Sequence, residues 1–232
     1  MRVLVTRPRE DAGETLAALM AMGHEGLVEP LLQIRPVAQD LPDLQGFQAL
    51  LITSRNGVRA FARLSAERAL AVYAVGPGTA AEARAAGFLE VHDAQGDAHA
   101  LADLVLRRLK PEEGPLLHAS GRDVASGLSE RLIEAGFDFR RIVLYAAEPR
   151  DAFSTVCMEA LAQGTLDAAL FFSPRTAATF ADLITRAGLQ QSCATMTAYC
   201  LSEAVAKKVS LLPWRSLRIA AAPNQEALLA LL

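Results

Sequence analysis

The sequence predicts an α/β protein made of two similar doubly wound (flavodoxin-like) parallel-sheet domains joined by a two-stranded linker. The main observation is an internal repeat of β-α units. Ala49–Leu64, ALLITSRNGVRAFARL, aligns without a gap with Ala168–Leu183, AALFFSPRTAATFADL. A second pair of units aligns at positions that share residue type, with Leu4, Arg9, Ala12, Leu19, Gly23 and Pro36 matching Leu117, Arg122, Ala125, Leu132, Gly136 and Pro149. Because the opening unit type recurs in mid-chain, we expect one domain to be inserted in the other, with a cleft between them.

The individual elements follow from apolar stretches and the turn residues between them. Arg2–Thr6 is a short apolar strand, and Glu10–Met22 is an amphipathic helix that ends at Gly23. A strand over Leu27–Leu32 completes a strand-helix-strand unit, which at this spacing is a right-handed parallel crossover. The remaining strand-helix units are predicted at Ala49–Leu64, Leu70–Gly87, Glu90–Leu109, Leu116–Tyr145, Ala168–Leu183, Met196–Val209 and Leu217–Leu232.

The units fall into four types that occur twice in the same order. A tandem duplication would place residues 1–110 in one domain and residues 111–232 in the other. In the alternative arrangement, the first unit of the chain joins the last three. The repeat order alone permits both arrangements.

Two long terminal strands favour the second arrangement. Leu31–Ala38 and Ile142–Pro149 run to equivalent prolines, and antiparallel to each other they would form a bridge between domains. We therefore predict a discontinuous first domain of residues 1–35 and 150–232. The inserted second domain comprises residues 36–149, including the linker strands.

Composition restricts the class of protein. The 232 residues are 52% hydrophobic and 21% charged, as in a well-packed chain and not a disordered one. A net charge of −3 lacks the basic excess of nucleic-acid-binding proteins, so we expect no nucleic-acid partner. Apolar runs stay well short of the roughly 20 residues of a membrane span, and the N-terminus is not a secretory signal. With three cysteines and no close pair, we expect reduced thiols and a cytoplasmic location without membrane association.

The strand-to-helix turns carry the candidate ligand-binding residues. They combine hydroxyls, glycine or proline with backbone N–H groups at a helix start, and helix capping alone would explain any single turn. Doubly wound sheets bind ligands beyond the carboxyl ends of their strands. The whole set therefore predicts a site for a ligand with several carboxylates or phosphates. The candidate residues are Thr6, Arg7, Thr53, Ser54, Gly76, Thr79, Ser120, Gly121, Ser173, Pro174 and Ser202.

Motifs for cofactor, metal and common hydrolase chemistry are missing from the sequence. It contains no GxGxxG after a strand, no GxxxxGK[ST], no HExxH and no GxSxG. The four histidines, His24, His92, His99 and His118, lie in different units and lack metal-ligand spacing. We therefore expect neither a cofactor nor a metal ion.

Tyr145 is the candidate catalytic residue. It ends the predicted strand IVLY, whereas the first copy has Leu32 at the equivalent position. Function is expected where two copies differ, although a tyrosine on a strand is also a common core residue. A phenol can donate a hydrogen bond to a leaving oxygen while staying neutral near pH 7.

An ordered set of segments resembles the uroporphyrinogen-III synthase family. The set is TRP after the first strand, then ITSRNGVRAF, AVGPGTA, IVLY and FFSPRTAATF, and the likeness extends from Arg2 to the terminal APNQEALLALL. The resemblance implies two α/β domains with a two-stranded linker and a lyase of tetrapyrrole (porphyrin and haem) biosynthesis. Such an enzyme cyclises hydroxymethylbilane to uroporphyrinogen III, losing water and inverting ring D, without metal or organic cofactor.

The same resemblance implies roles for individual residues. Tyr145 would assist departure of the hydroxyl, and Thr79 in GPGTA would line the cleft. Four serines would contact the acetates and propionates of a substrate with eight carboxylates: Ser54, Ser120, Ser173 and Ser202. The segment Tyr199–Ala204, YCLSEA, departs from the family, which often has a glycine-rich turn with threonine there. We also expect a monomer and transient handover of hydroxymethylbilane from hydroxymethylbilane synthase.

The residues taken by themselves leave two other classes open. A two-domain α/β protein that binds a small anion without catalysis would have a similar cleft, although such proteins usually carry an export signal. Tandem receiver modules need acidic residues at the end of the first strand to hold Mg²⁺, where this chain has Thr6 and Arg7.

Overall fold

The computed structural model describes residues 1–124 and 127–232. Ala125, which the repeat matches to Ala12, lies outside the described residues. The chain forms two compact units, one of residues 1–33 and 148–232 and the other of residues 34–147. Each unit contains its own sheet of mainly parallel strands, which confirms the predicted α/β class. Within the described ranges, none of the helices is long and apolar enough to cross a membrane.

Strands and helices alternate along most of the described chain, with three successive strands between the first two helices and short 3-10 helices at Pro111–Glu113 and Gln190–Thr195. In chain order the elements are β1 (Arg2–Val5), α1 (Arg9–Ala21), β2 (Glu25–Val28), β3 (Leu32–Pro36), β4 (Ala49–Ile52), α2 (Arg55–Leu64), β5 (Val72–Ala74), α3 (Pro77–Ala85), β6 (Val91–Asp93), α4 (Ala98–Arg108), β7 (Leu116–Gly121), α5 (Leu128–Glu134), β8 (Phe139–Pro149), α6 (Thr155–Ala162), β9 (Ala168–Phe171), α7 (Pro174–Arg186), β10 (Thr197–Cys200), α8 (Glu203–Val209), β11 (Ser216–Ile219) and α9 (Gln225–Leu229).

The unit of residues 1–33 and 148–232, called the first unit below, has a five-stranded parallel sheet. Its strand order is β11-β10-β9-β1-β2. Both faces of the sheet are covered, because alternate residues of β9 enter different cores. Ala169 and Phe171 pack with residues of α6, α7 and α8. Ala168 and Leu170 pack with residues of α1 and α9, so the strand is apolar throughout, as is typical of a strand buried on both faces.

The unit of residues 34–147, called the second unit below, has a six-stranded sheet. Its order is β3-β8-β7-β4-β5-β6, and the strands from β8 to β6 are parallel. Alternate residues of β4 again enter two cores. Leu50 and Ile52 pack with residues of α2 and α3. Ala49 and Leu51 pack with residues of α4 and α5.

The strand predicted over Leu27–Leu32 is wrong, because the chain breaks it in two. β2 ends at Val28 and β3 begins at Leu32. Between them, Pro30 has no N–H to donate to a neighbouring strand. The buried carboxylate of Glu29 accepts hydrogen bonds from the backbone N–H of Ser154 at 2.8 Å and from its hydroxyl at 2.5 Å. The side chain of Glu29 therefore bonds to the start of α6, while the N–H of Glu29 still donates to the carbonyl of Val5 at 2.9 Å.

β8 continues to Pro149, as expected for the long strand predicted over Ile142–Pro149, so the separate prediction that Tyr145 ends a strand is wrong. Tyr145 therefore lies within the strand and not at its end. The pairing of β7 with β8 shifts there, since Ser120 is opposite Val143 but Gly121 is opposite Tyr145. Leu144 is thus the extra residue of a β-bulge, a feature that re-aims neighbouring side chains.

Candidate functional site

The carboxyl ends of neighbouring strands in the second unit bring most of the predicted site residues to one edge of the sheet. The adjacent strands are β8, β7, β4 and β5, all of them parallel. The residues in or just after these strand ends are Ser120, Gly121, Thr53, Ser54, Gly76 and Thr79, together with Tyr145, which is opposite the last residue of β7. This is the edge at which doubly wound sheets bind ligands.

Tyr145 and Ser54 are joined by a short hydrogen bond. The Tyr145 Oη lies 2.6 Å from the Ser54 Oγ. Ser54 is also the N-cap of α2, and its Oγ accepts the backbone N–H of Gly57 at 3.0 Å. The start of α2 therefore fixes the serine, which in turn fixes the end of the phenol.

The Tyr145 phenol is neutral at physiological pH. Its side chain is only 9% exposed, and this burial raises the pKa of Tyr145 above its usual value of 10.0. The hydrogen bond with Ser54 lowers the pKa of Tyr145 but is the smaller influence. A neutral phenol retains its proton for donation to a ligand.

The hydroxyl of Ser120 forms hydrogen bonds within the sheet. It donates to the carbonyl of Ile142 at 3.3 Å and accepts from the Arg141 Nε at 2.9 Å. The same guanidinium donates to the carbonyl oxygens of Gly121 at 2.8 Å and Arg122 at 2.7 Å. Ser120 is 1% exposed, so its hydroxyl stabilises the end of β7 instead of facing solvent.

Thr53 lies next to a buried histidine on the neighbouring strand. The Thr53 Oγ1 is 3.5 Å from the Nε2 of His118, and the imidazole packs against the ring of Phe139. Burial, and secondarily the positive charge of Arg141, lowers the pKa of His118 from 6.5 to about 4. The imidazole is therefore neutral in the folded protein near pH 7.

This shifted pKa predicts a dependence of stability on pH. Between about pH 6.5 and pH 4 the unfolded chain binds a proton at His118 that the folded protein does not. We therefore expect the free energy of unfolding to decrease as the pH falls through this window, by up to about 3 kcal/mol from this group. Urea unfolding at pH 7 and pH 5 would measure it. His118→Gln should flatten the slope and His99→Gln, an exposed histidine, should not; equal slopes in all three proteins would contradict the assignment.

Gly76 and Thr79 lie at the start of α3. Gly76 is the N-cap in an extended conformation, and Pro77 is the first helical residue. Because glycine has no side chain to cap the helix, the backbone N–H groups of this first turn have no side-chain cap. Thr79, in the first turn of α3, is buried, with 6% of its surface exposed.

Two predicted residues of the first unit serve its sheet and first helix. The Thr6 Oγ1 donates to the carbonyl of Leu170 at 2.6 Å and so connects the end of β1 to β9. The Arg7 guanidinium lies 4.4 Å from the ring centre of Phe172 and donates to the Oε1 of Gln225 at 2.5 Å. Arg7 is therefore held in one orientation at the carboxyl edge of this sheet.

The remaining predicted residues of the first unit begin helices. Ser173 is the N-cap of α7 and accepts the N–H of Thr176 at 3.1 Å, with Pro174 as the first helical residue. Ser202 is the N-cap of α8, but its hydroxyl does not bond to the start of that helix. Its turn therefore differs from that of Ser173, although both lie at the ends of neighbouring strands.

Sequence reasoning gave no site role to Arg141 or His118 and missed the contacts of Arg7 with Phe172 and Gln225. Gln225 lies 218 residues from Arg7, and no local pattern could connect them. The sequence did hold a signal for Arg141. An arginine directly before the apolar run IVLY must place its charged group outside the apolar core, where it can bond to the ends of neighbouring strands. In residues 1–124 and 127–232, no three histidine, cysteine, aspartate or glutamate side chains form a group that could hold a metal ion.

Comparisons with known proteins agree on one family. The family model for uroporphyrinogen-III synthase HemD matches residues 13–230. The uroporphyrinogen-III synthase of Chlorobaculum parvum is 30% identical over 195 residues, which is 78% of each chain.

Two solved structures support the fold. The uroporphyrinogen-III synthetase of Helicobacter pylori has a TM-score of 0.63 at 19% identity, covering 100% of this chain and 98% of the other. A mutant uroporphyrinogen III synthase of Thermus thermophilus has a TM-score of 0.55 at 19% identity, covering 99% and 95% of the two chains.

Proposed function

Because this chain belongs to the uroporphyrinogen-III synthase family, we propose that Tyr145 is its catalytic residue and that the carboxyl edges of its two sheets bind the substrate. The protein is a cyclising lyase of porphyrin and haem biosynthesis. It converts hydroxymethylbilane into uroporphyrinogen III with loss of water and inversion of ring D. The observation that carries the role of Tyr145 is the buried, neutral phenol held 2.6 Å from Ser54 at this edge.

The first step requires a proton donor. When the bond between the hydroxymethyl carbon and its oxygen breaks, the electron pair leaves with the oxygen, and the phenol of Tyr145 supplies the proton that completes water. The remaining cation is stabilised by its pyrrole nitrogen. One positioned donor of this kind typically contributes about 10²–10⁴-fold to a rate.

The second requirement is positioning. In solution the cation closes on the nearest free ring carbon and gives the uninverted isomer I. The enzyme instead directs the substituted carbon of ring D to the cation, which gives a spiro intermediate. The original bond from that carbon to the methylene bridge of ring C then breaks, and the bridge carbon bonds to the free carbon of ring D, which gives isomer III. The ring carbon that takes the final bond releases one proton, which restores the phenol. Holding reactants in one orientation can supply several kcal/mol of the barrier reduction.

Carboxylate binding is assigned to the helix starts, because backbone N–H groups and hydroxyls at these positions attract anions. In the second unit these are the turns of Ser54 and of Gly76 with Thr79. In the first unit they are the turns of Ser173 with Pro174 and of Ser202, beside the oriented guanidinium of Arg7. The hydroxyls of Thr6 and Ser120 bond to backbone carbonyls, so these two residues shape the edge and are expected to contribute through their backbone.

Incubation with freshly generated hydroxymethylbilane, followed by separation of isomers I and III, tests the function. We expect isomer III as the main product without any added metal or cofactor. The alternative, an anion-binding protein without catalysis, would bind the substrate while only isomer I forms at the uncatalysed rate. Isomer I alone would therefore favour that alternative.

We also propose that the two units are the two predicted domains and that the protein is a cytoplasmic monomer. Each unit has its own pair of apolar cores, as an independent domain requires. Transient handover from hydroxymethylbilane synthase is proposed because the substrate closes spontaneously to the wrong isomer when it stays in solution.

A further inference from the structure

We propose that Gly121 is a positioning residue for Tyr145, because the ring of Tyr145 occupies the space that a side chain at position 121 would need. The inference rests on the proposed catalytic role of Tyr145. The sequence predicted that Gly121 contacts the ligand. The role proposed here is instead to leave room for the ring of Tyr145. Its support comes from strand register, from the space around the glycine, and from the hydrogen bonds that hold the end of β7.

Tyr145 and Gly121 lie in two neighbouring strands, and Ser54 follows the end of the next strand, β4. Gly121 in β7 is opposite Tyr145 in β8. On the other side of β7, Leu51 of β4 is opposite His118. Extending this register by three residues, past the end of β4, would bring Ser54 beside Gly121. The order β8-β7-β4 means that Tyr145 has to cross β7 to reach Ser54. Neighbouring strands are about 4.8 Å apart, so β8 and β4 are separated by roughly 10 Å. The side chain of Tyr145 and its hydrogen bond to Ser54 together cover this distance.

The crossing point is Gly121. A Cβ built on this glycine would lie 2.8 Å from the Cζ, 2.9 Å from the Cε2 and 3.0 Å from the Oη of Tyr145. Nonbonded carbon atoms normally approach to about 3.5–4.0 Å. Any side chain at this position would therefore displace the phenol. The backbone of Gly121 does not itself demand glycine, because its φ is outside the left-handed region.

Other contacts fix both strands around this crossing. The bulge at Leu144 sets the register that brings Tyr145 opposite Gly121. The N–H of Arg122 donates to the carbonyl of Tyr145 at 2.8 Å. Arg141 donates to the carbonyl oxygens of Gly121 and Arg122. Because these bonds hold the end of β7 in place, the strand cannot easily move aside for a larger residue.

The test is a double-mutant cycle with Gly121→Ala and Tyr145→Phe. We expect Gly121→Ala to lower kcat for isomer III by about 10²-fold, as Tyr145→Phe does, with KM within about twofold of the parent. The double variant should be no slower than Tyr145→Phe alone. Displacing the ring affects kcat only through the hydroxyl, which the phenylalanine ring does not carry. Gly13→Ala is the matched control, because its added Cβ meets open space within α1, and it should retain the parental kcat.

The outcomes separate this inference from the proposed function. If Tyr145→Phe is slow but Gly121→Ala keeps the parental kcat, Gly121 has no positioning role and the role of Tyr145 stands. If the two losses multiply in the double variant, Gly121 acts on something other than the phenol, and the inference is wrong. A parental kcat for Tyr145→Phe removes the catalytic role of Tyr145 and the positioning role with it.

A second variant covers the case in which Gly121→Ala does not fold. Arg141→Gln adds no atoms near the ring but removes the hydrogen bonds that hold the Gly121 and Arg122 carbonyls. We expect a smaller loss of kcat, about tenfold, that disappears when Tyr145 is already phenylalanine. An undiminished kcat, or a loss that persists in the Tyr145→Phe background, would overturn the inference.

Discussion

Replacing Tyr145 with phenylalanine is expected to lower kcat for isomer III by about 10²-fold or more, while isomer I rises in proportion. The change removes one hydroxyl and keeps the buried ring, so the fold should be retained. Residual isomer III is expected because substrate positioning is unaffected. Chromatographic separation of the two isomers, with the rate of each, measures the effect.

The matched control is Tyr73→Phe. Tyr73 is a buried tyrosine of the same unit, lies in β5, and packs against His92 away from the Tyr145–Ser54 pair. It should retain the parental rate of isomer III. A folded Tyr145→Phe protein that makes isomer III as fast as the Tyr73→Phe control would remove Tyr145 from the mechanism, and Thr79 and Ser202 would be the next residues to replace.

Phe180→Ala is expected to reduce the free energy of unfolding of the first unit by about 3–5 kcal/mol. Phe180 is fully buried in α7, where it contacts the rings of Phe153 and Phe171 and stacks on Trp214 at 5.7 Å between ring centres. Removing the ring leaves a cavity among aromatic side chains that cannot collapse around it.

Urea unfolding followed by tryptophan fluorescence measures this loss. Trp214 is the one tryptophan of the sequence and belongs to the first unit, so it reports on the unit in which Phe180 lies. Leu211→Ala is the control, because Leu211 is fully exposed and its loss should change stability by less than about 0.5 kcal/mol. A loss below about 1 kcal/mol for Phe180→Ala would show that neighbouring rings refill the space.

The sequence was sufficient for the fold class and the family because both depend on local patterns in a fixed order. The ungapped match of Ala49–Leu64 with Ala168–Leu183 corresponds to β4 with α2 and β9 with α7, and Ser54 and Ser173 cap their helices as the turns predicted. The resemblance to uroporphyrinogen-III synthases is confirmed by the family match. The domain boundaries and the roles of the site residues stay predictions.

The errors have a common physical cause, which is contact between distant parts of the chain. The side chain of Glu29, just beyond the end of β2, bonds to Ser154, 125 residues away. The bulge at Leu144 exists only in the pairing with β7, so the run IVLY contains no sign of it. The hydrogen bond between Tyr145 and Ser54 likewise spans 91 residues. The apolar pattern of the sequence identifies these strands. It does not identify the distant residues that they bond to, and those contacts decide where each strand ends.

The bonds between Glu29 and Ser154 also bear on the order of folding. They close a loop of 125 residues, and the entropic cost of closing a flexible loop rises with the logarithm of its length. Nearly all of that loop is the second unit, whose terminal strands β3 and β8 pair with each other, with the N–H of Val37 donating to the carbonyl of Leu144 at 2.9 Å. Once the second unit has folded, this pairing brings the two ends of the loop together. The remaining loop is then short, so we expect the first unit to complete its sheet only after the inserted unit has formed.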